Sequence, residues 1–422
     1  MTYSDRKGCQ VSWAALILLC FLVAMTSLAH ASAANQPRHI VLSWSEHPET
    51  TQTITWQTQA ESFDTTVQFR EAAKAGDGWQ EAARESVSTV FFANNVDNRY
   101  VHRTVLQNLK PDCTYLYRVG SSDQWSETSS FTTAPAIKKP FSFLLFGDSQ
   151  SFDYSIWRKT LLTAWAHQPQ AAFFINVGDL VDTGQDIREW DAWFDGAKGV
   201  IDRIPAMPVT GNHEMYTVER RFSRPIYFTT QLSLPQNGPE EMKGQVYSFD
   251  YSNVHFVMLD SQFGEERSLI PAMPELEKQW LEQDLAASKQ PWKVVVLHKP
   301  PYNNKNSEST EALRRAFVPL FEKYQVDVVF SGHDHVYART YPLVGGEFVS
   351  ETQQGTIFVA SGRSGTKTYH TTVAKEWNTF FHNPVDEPNY LTIHVDGSHL
   401  TIQAMTVSGV LLDSFSITKA VP

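Results

Sequence analysis

Five short segments of this sequence are rich in side chains that bind divalent metal ions, and each follows directly on an apolar run. A glycine precedes four of the five polar clusters, where it allows the backbone to turn sharply. The segments are Gly147-Asp148-Ser149-Gln150, Gly178-Asp179-Leu180-Val181-Asp182, Gly211-Asn212-His213-Glu214, Leu297-His298 and Gly332-His333-Asp334-His335. Carboxylate and amide oxygens and imidazole nitrogens suit zinc, manganese and iron. These residue types therefore indicate a metal centre.

Each cluster has a plainer explanation when it is taken alone. A Gly-Asp pair after a strand is usually a turn, Asn212 could cap a helix, and His298 could be a buried core histidine. His333 and His335 would also suit a surface hairpin. All five clusters follow predicted strands of one domain, and ligands of α/β sheets bind beyond the carboxyl ends of the strands. Their joint occurrence favours the metal centre.

The pattern of apolar residues changes near Pro140, which divides the chain into two predicted domains. Before it, seven short strands separated by polar turns are typical of a small antiparallel β-sandwich. After it, apolar strands alternate with helices, which predicts an α/β domain with a largely parallel core. The predicted strands are 39–44, 51–57, 66–70, 86–92, 101–106, 114–119, 128–133, 141–146, 171–177, 207–210, 254–259, 292–297, 326–330, 356–360, 390–395 and 400–405, and the predicted helices are 154–167, 185–202, 274–287 and 309–324.

The first 33 residues have the features of a secretory signal. Arg6 and Lys7 form a basic start, Val11 to Leu28 is almost wholly apolar, and Ala29-His30-Ala31 and Ala31-Ser32-Ala33 fit a cleavage site. The alternative is an uncleaved anchor, but small residues follow the apolar run. We therefore expect export, to the periplasm or outside the cell, with no membrane attachment after cleavage.

The composition excludes two broad classes of protein. The chain has 422 residues, of which 42% are hydrophobic and 13% aromatic, so it is not a mainly disordered chain. Its formal net charge is −11 and no run of lysine and arginine occurs. Because phosphate-backbone binding relies on basic clusters, we expect no nucleic-acid partner.

Two resemblances follow from these motifs. The stretch from Leu109 to Val119 resembles the tyrosine-corner strand of fibronectin type III domains. The five metal-binding segments resemble those of the calcineurin-like metallophosphoesterases, and the preceding sandwich is similar to that of the purple acid phosphatases, over about residues 38–418. The resemblance implies a fibronectin-like domain at 38–134 and a metallophosphoesterase domain at 141–418, which follow the signal predicted at 1–33. The latter would have two mixed sheets flanked by helices, with two metal ions at the sheet ends.

The same resemblance implies a role for each polar residue. Asp179 would bridge both ions, Asp148 and His335 would complete one site, and Asn212, His298 and His333 would complete the other. His213 would be the free general acid that protonates the leaving oxygen, while Glu214 and Asp334 would orient ligands. Two such ions would lower the pKa of a bridging water, and the resulting hydroxide would attack phosphorus.

Departures from the family pattern affect the metals and the substrate. Asp182 stands where purple acid phosphatases have their tyrosine ligand, and in the broader superfamily an aspartate there supports the site without binding metal. Gln150 stands where a histidine ligand is common, and its neutral oxygen would be a weak metal ligand. We therefore expect two divalent ions, Mn, Zn or Fe(II), rather than a purple Fe(III) centre. Residues 303–306 lack the family's further substrate histidine. Asn212 and Arg363 are candidate substrate-binding residues, although the segment around Arg363 also suits a plain hairpin.

The sequence therefore predicts an exported binuclear phosphoesterase that acts on small phosphomonoesters. A phosphodiesterase or nucleotidase that uses the same site is the first alternative. The second is a cell-surface binding protein with a vestigial phosphatase domain, against which the intact set of candidate ligands counts.

Overall fold

The structure, a computed structural model, describes residues 35–419 apart from 63, 75, 77, 82–85, 122–123, 306–308 and 351–353. The predicted signal lies outside the described residues. The described part has an N-terminal β-domain and a C-terminal α/β domain, which confirms the predicted two-domain architecture. Within it, no helix has both the length and the apolar character needed to cross a membrane.

The N-terminal domain is a sandwich of two antiparallel sheets. Its strands are β1 (Arg38–Ser43), β2 (Gln52–Thr58), β3 (Thr66–Glu71), β4 (Gln80–Glu81), β5 (Ser88–Ala93), β6 (Asn98–Leu106), β7 (Thr114–Ser121), β8 (Gln124–Trp125) and β9 (Ser129–Thr132). One sheet has the order β1-β2-β6-β5, and the other has the order β4-β3-β7-β8 with β9 also paired to β7. Alternate residues of β7 point inward. Tyr115, Tyr117 and Val119 therefore pack with Trp56 and Phe131 between the sheets.

The C-terminal domain consists of two mixed sheets with helices on their outer faces. Its elements are β10 (Phe141–Phe146), α1 (Tyr154–His167), β11 (Phe174–Asn176), α2 (Ile187–Ala197), α3 (Ile226–Gln231), β12 (Tyr247–Tyr251), β13 (Val254–Met258), α4 (Met273–Ala287), β14 (Trp292–Val296), α5 (Ser309–Lys323), β15 (Val328–Ser331), β16 (Tyr337–Thr340), β17 (Leu343–Val344), β18 (Glu347–Phe348), β19 (Ile357–Ser361), β20 (Asn378–His382), β21 (Asn389–Asp396), β22 (His399–Thr406) and β23 (Leu411–Thr418). The smaller sheet has the order β11-β10-β21-β22-β23, and the larger has the order β12-β13-β14-β15-β19-β16-β20.

The larger sheet is buried on both faces, which explains its nearly continuous apolar strands. Val294 and Phe330 lie on the face that packs against the smaller sheet, where Phe143 and Phe256 meet edge to face at 5.3 Å. Val295, which follows Val294 in the sequence, points to the opposite face of the sheet. It packs in a second core with α4 and α5. This alternation follows from the period of two along a strand.

Two details of the predicted α/β domain are wrong. Among the described residues, the parallel pairs are confined to β13-β14-β15-β19 in the larger sheet and β10-β11 in the smaller one. The strands joined by hairpins add antiparallel pairs to both sheets, so the domain is mixed rather than largely parallel. The predicted strand 207–210 is not a strand but an extended segment beside β11, with bonds from Met207 and Val209 N–H groups to that strand. Pro208 between them has no N–H to donate, which prevents a regular ladder on the other side.

The two domains are joined through charged side chains around the buried Arg99, and we call the group the interface cluster: Arg38, Asp97, Arg99 and Asp191. The Arg99 side chain is only 2% exposed and binds both carboxylates, Asp97 at 2.7 Å and Asp191 at 2.5 Å. Tyr117 adds a hydrogen bond from its hydroxyl to the carbonyl of Asp202 at 2.8 Å. The sandwich is therefore fixed against the phosphoesterase-like domain rather than tethered to it.

Candidate metal centre

Six predicted metal ligands come together at the carboxyl ends of neighbouring strands of both sheets. β10 and β11 lead to two of them in the smaller sheet, and β14 and β15 lead to three in the larger sheet. We call these six residues the donor cluster: Asp148, Asp179, Asn212, His298, His333 and His335. Five are buried and His333 is half-buried.

The donor cluster contains two groups that share one carboxylate. The ligand atoms of Asp179, His298 and His333 lie within 4.8 Å of one another, and so do those of Asp148, Asp179 and His335. In the first group the Asn212 Oδ1 lies 3.0 Å from His333 Nδ1 and 3.3 Å from His298 Nε2. In the second, His335 Nε2 lies 3.2 Å from Asp148 Oδ1. Asp179 thus stands where a bridging ligand must stand.

The chemistry of these atoms fits metal ions. His298 Nδ1 donates to the Val177 carbonyl at 2.8 Å, and His335 Nδ1 donates to the Lys367 carbonyl at 2.8 Å. When these rings are neutral, their Nε2 lone pairs face carboxylate and amide oxygens, which repel them. His335 Nε2 and Gln150 Oε1 are buried without a hydrogen-bond partner among the described residues. Divalent cations would satisfy all of these atoms at once.

The pKa values of two histidines also indicate that the donor cluster favours a cation. Burial disfavours the charged imidazolium of His298, but the Asp179 and Asp148 carboxylates outweigh it and raise the pKa of His298 to about 9. His333 behaves oppositely, because burial and the neighbouring His298 and Lys305 hold its pKa well below the usual value. The cluster therefore attracts positive charge to the position between Asp179 and His298.

Several donor residues have strained backbone. Asp148, Asp179, His333 and His335 have φ angles of 21°, 51°, 66° and 55°, in the left-handed region that non-glycine residues seldom occupy. Such conformations cost about 1–3 kcal/mol each and are concentrated at functional sites. Here they turn each side chain back toward the common centre immediately after its strand ends.

Two glycines make room for Asp179. Gly178 has a φ of +90°, and a Cβ there would lie 2.7 Å from His298 Nδ1. A Cβ on Gly211 would lie only 2.2 Å from Asp179 Oδ1. The segments 178–182 and 211–214 can approach each other only because neither glycine has a side chain.

Glu214 ties the same two segments together. Its buried carboxylate accepts hydrogen bonds from the backbone N–H groups of Asp179 at 2.9 Å, Leu180 at 2.8 Å and Gly211 at 2.6 Å. Asp334 acts similarly on another loop, because its carboxylate accepts the N–H of Asn304. Both carboxylates thus bind the backbone of segments near the donor cluster.

His213 lies beside the donor cluster and belongs to neither metal-binding group. Its Nδ1 donates to the Asp182 carbonyl at 2.7 Å, while Nε2 lies 2.8 Å from Lys367 Nζ and 3.9 Å from Asp179 Oδ2. Burial lowers the pKa of His213, but the carboxylates of Asp179 and Asp182 outweigh burial and raise it overall. The Lys367 ammonium opposes this increase, and it can donate to Nε2 only while that nitrogen carries no proton.

Asp182 faces cations rather than the donor cluster. Its Oδ2 accepts from Arg220 at 2.6 Å, and its Oδ1 lies 3.2 Å from His213 Nδ1. The hydrogen bond with His213 is the largest of the effects that hold the pKa of Asp182 far below its usual value. Gln150, by contrast, contacts the cluster directly, because its Nε2 donates to Asp179 Oδ2 at 3.1 Å.

Arg363 does not face the donor cluster, which corrects the expectation that it binds an anionic substrate. Its guanidinium is buried and donates to three backbone carbonyls: Pro384 at 2.7 Å, Gly365 at 2.6 Å and Val385 at 3.2 Å. These bonds leave it as a support for the loop between β20 and β21, in agreement with the plainer interpretation as part of a turn.

The sequence analysis missed three residues near the site, Lys305, Arg220 and Lys367. Lys305 donates to the His333 carbonyl, and Lys367 contacts His213. One feature of the sequence could have identified Lys367, because this residue follows the predicted strand 356–360. The carboxyl end of that strand lies at the same edge as the five polar segments. Arg220 had no such signal, because it lies in an irregular loop.

Comparison with known proteins places both domains. Residues 141–337 match the family described as Calcineurin-like phosphoesterase, and residues 37–133 match the Purple acid Phosphatase N-terminal domain. Purple acid phosphatase 21 of Arabidopsis thaliana is 30% identical over 317 residues, which cover 73% of this chain and 67% of that protein. An uncharacterized protein of Mycobacterium tuberculosis is 29% identical over 273 residues, so the chain spans about half the length (51%) of that relative.

Solved structures agree on the fold. The purple acid phosphatase PPD1 from yellow lupin seeds superposes with a TM-score of 0.76 at 20% identity, covering 91% of this chain and 74% of that one. The structure of PhoD superposes with a TM-score of 0.60 at 14% identity and covers 90% of each chain. At these identities the structures establish the fold alone.

Proposed function

Since the chain belongs to the purple acid phosphatase family, we propose that it is an exported metal-dependent phosphoesterase that hydrolyses small phosphomonoesters. The observation that carries this proposal is the pair of donor groups that share Asp179, with the non-ligand His213 beside them. We also propose residues 1–33 as a cleaved signal and 38–134 and 141–418 as the two domains.

Two divalent ions would be held by this chain's own side chains. Asp148, Asp179 and His335 would hold one, with Gln150 as a weak fourth ligand, and Asp179 would share the other with Asn212, His298 and His333. Bound ions would supply Lewis-acid charge to the phosphoryl oxygens and a strong nucleophile at neutral pH. Mn, Zn or Fe(II) fits this set better than Fe(III), because Asp182 replaces the tyrosine and is bound by Arg220.

His213 would act as the proton donor to the leaving oxygen. The Asp182 carbonyl binds its Nδ1, so the second proton of the imidazolium would be carried at Nε2, the nitrogen nearer Asp179, with the Lys367 ammonium turned away from Nε2 in that state. A histidine that ligates a metal could not deliver this proton, so a separate residue is required. Asn212 precedes His213 directly and would place a bound phosphoryl group within its reach.

The test is hydrolysis of nitrophenyl phosphate and of bis-nitrophenyl phosphate by the chain without residues 1–33, supplied with Mn, Zn or Fe(II). We expect faster turnover of the monoester and none by Asp179→Asn. Preference for the diester would replace this proposal with a phosphodiesterase. Retention of metal without turnover of either ester would favour a binding protein with a vestigial site.

A further inference from the structure

Two cationic side chains contact the Asp182 carboxylate at one side of the donor cluster. Asp182 occupies the position of the family's tyrosine ligand, yet its carboxylate contacts Arg220 at 2.6 Å and Lys367 at 3.5 Å. Two cations therefore share one carboxylate, and one positive charge remains without a counter-charge in that group. This charge lies on the side of the cluster where His213 would release the leaving group.

Of these two cations, Lys367 is the one that contacts His213. Its Nζ lies 2.8 Å from His213 Nε2, and its side chain is 32% exposed. The ammonium is therefore both next to the proposed proton donor and accessible to a ligand. Arg220, at 53% exposed, lies further out and is paired with the other oxygen of Asp182.

The backbone around Lys367 is held by bonds to the ligand-bearing segments. Gly365 N–H donates to the Asp148 carbonyl at 3.0 Å, and Thr366 N–H donates to Ser151 Oγ at 3.2 Å. The Lys367 carbonyl itself accepts from His335 Nδ1 at 2.8 Å. The position of Lys367 is thus coupled to the donor cluster, as a substrate-binding residue requires.

On the basis of the function proposed above, we propose that Lys367 determines specificity by binding a second anionic group adjacent to the scissile bond. A phosphoanhydride such as pyrophosphate would present one phosphoryl group to the donor cluster and the other to Lys367 beside His213. An ester with a neutral leaving group offers this ammonium nothing to bind. Charge-assisted hydrogen bonds of this kind are the strong ones, so the preference is measurable.

The experiment compares pyrophosphate with phenyl phosphate for the wild type, Lys367→Met and Lys367→Arg, all loaded with Mn. For Lys367→Met we expect the kcat/KM of pyrophosphate to fall about ten- to a hundredfold, mostly through KM, and that of phenyl phosphate to fall much less. Lys367→Arg restores most of the loss because it restores the charge. Lys159→Met, an exposed lysine of α1, is the matched control and leaves both substrates unaffected.

Binding is measured separately by calorimetry with methylenediphosphonate and methylphosphonate, neither of which is hydrolysed. We expect the wild type to bind the diphosphonate about tenfold more tightly or better, and Lys367→Met to lose that advantage. Equal losses for both ligands or both substrates, or no loss at all, would overturn the role of Lys367. If the wild type hydrolyses no phosphate compound, the proposed function fails, while the calorimetric preference still decides the question of Lys367.

Discussion

The interface cluster and the donor cluster both bury charged side chains, but they treat them differently. In the interface cluster, Arg99 directs all three guanidinium nitrogens to the carboxylates of Asp97 and Asp191. In the donor cluster, carboxylates, amide oxygens and imidazole nitrogens face one another, and His335 Nε2 has no partner among the described residues.

This difference separates a region built for stability from a region built for a ligand. A buried charge that is paired within the protein needs nothing further, whereas converging lone pairs need a cation. Backbone strain follows the same division: four of the six donor residues have positive φ, and no member of the interface cluster does. The predictions below test this division, from the largest expected effect to the smallest.

Asp179→Asn should have the largest effect, because it removes the carboxylate common to both metal groups. We expect kcat on nitrophenyl phosphate to fall by about a thousandfold or more, while the circular dichroism spectrum is retained. The control is Asp112→Asn, an exposed carboxylate of the N-terminal domain. Turnover by Asp179→Asn within tenfold of the wild type would contradict the bridging role.

Chelation should destabilise the folded protein, because the bound ions stabilise only the native state. With free metal at about 100 times its dissociation constant, stabilisation is about 3 kcal/mol. Urea unfolding with and without a chelator measures this difference. It should disappear in Asp179→Asn but persist in Arg99→Met, since only the former alters the donor cluster.

Arg99→Met should destabilise the protein without altering the site. It leaves Asp97 and Asp191 without their main partner, and because these carboxylates are 31% and 28% exposed, the loss should be about 2–3 kcal/mol. Arg188→Met, which removes a largely exposed guanidinium from its ion pair with Asp186, should cost much less. A changed KM in Arg99→Met would show that the two regions are coupled.

Glu214→Gln should weaken metal binding through the ligands it supports. The new amide would present an NH₂ group to backbone N–H groups that now donate to a carboxylate. We expect about a 10- to 100-fold loss of metal affinity, measured by titration with a metal indicator. Unchanged metal affinity would mean that the segments 178–182 and 211–214 keep their backbone conformation without the Glu214 carboxylate.

His255, far from the donor cluster, should make stability depend on pH. Its ring donates to Asp250 at 2.6 Å and Asp284 at 2.8 Å, and although burial opposes the charge, these bonds raise the pKa of His255 to about 9. The stabilisation is complete below pH 6.5 and is lost as the pH rises through about 9, by up to about 3 kcal/mol. His255→Gln should lack this decline in urea unfolding between pH 6.5 and 9.

Elements with a clear local signal were predictable from the sequence. The helix predicted at 154–167 has those limits in the structure, because its N-terminal Asp153 caps it and its apolar residues repeat at helical spacing. The segment 207–210 was mistaken for a strand because its apolar residues indicate burial, although Pro208 has no N–H with which to extend a regular ladder. Strands β16 and β20 were missed because their pairing depends on residues distant in sequence.

In the candidate site, the donor residues were predictable from the sequence, whereas the surrounding basic side chains were not. The donor cluster could be placed because its residues follow apolar segments, five of them at or just beyond strands, and these segments of both sheets end at one edge. The directions of long basic side chains could not be predicted, since they depend on loop conformation. Arg363 was therefore expected near substrate although it binds backbone carbonyls, and Lys367 was overlooked although it contacts His213.

The central claim is that the donor cluster holds two ions through one shared carboxylate. Anomalous diffraction from crystals grown with Mn tests it most directly. We predict two peaks per chain, one among Asp148, Asp179 and His335 and one among Asp179, Asn212, His298 and His333, with at least one lost in Asp179→Asn. Peaks absent from the cluster, or a single peak that survives in Asp179→Asn, would contradict the account.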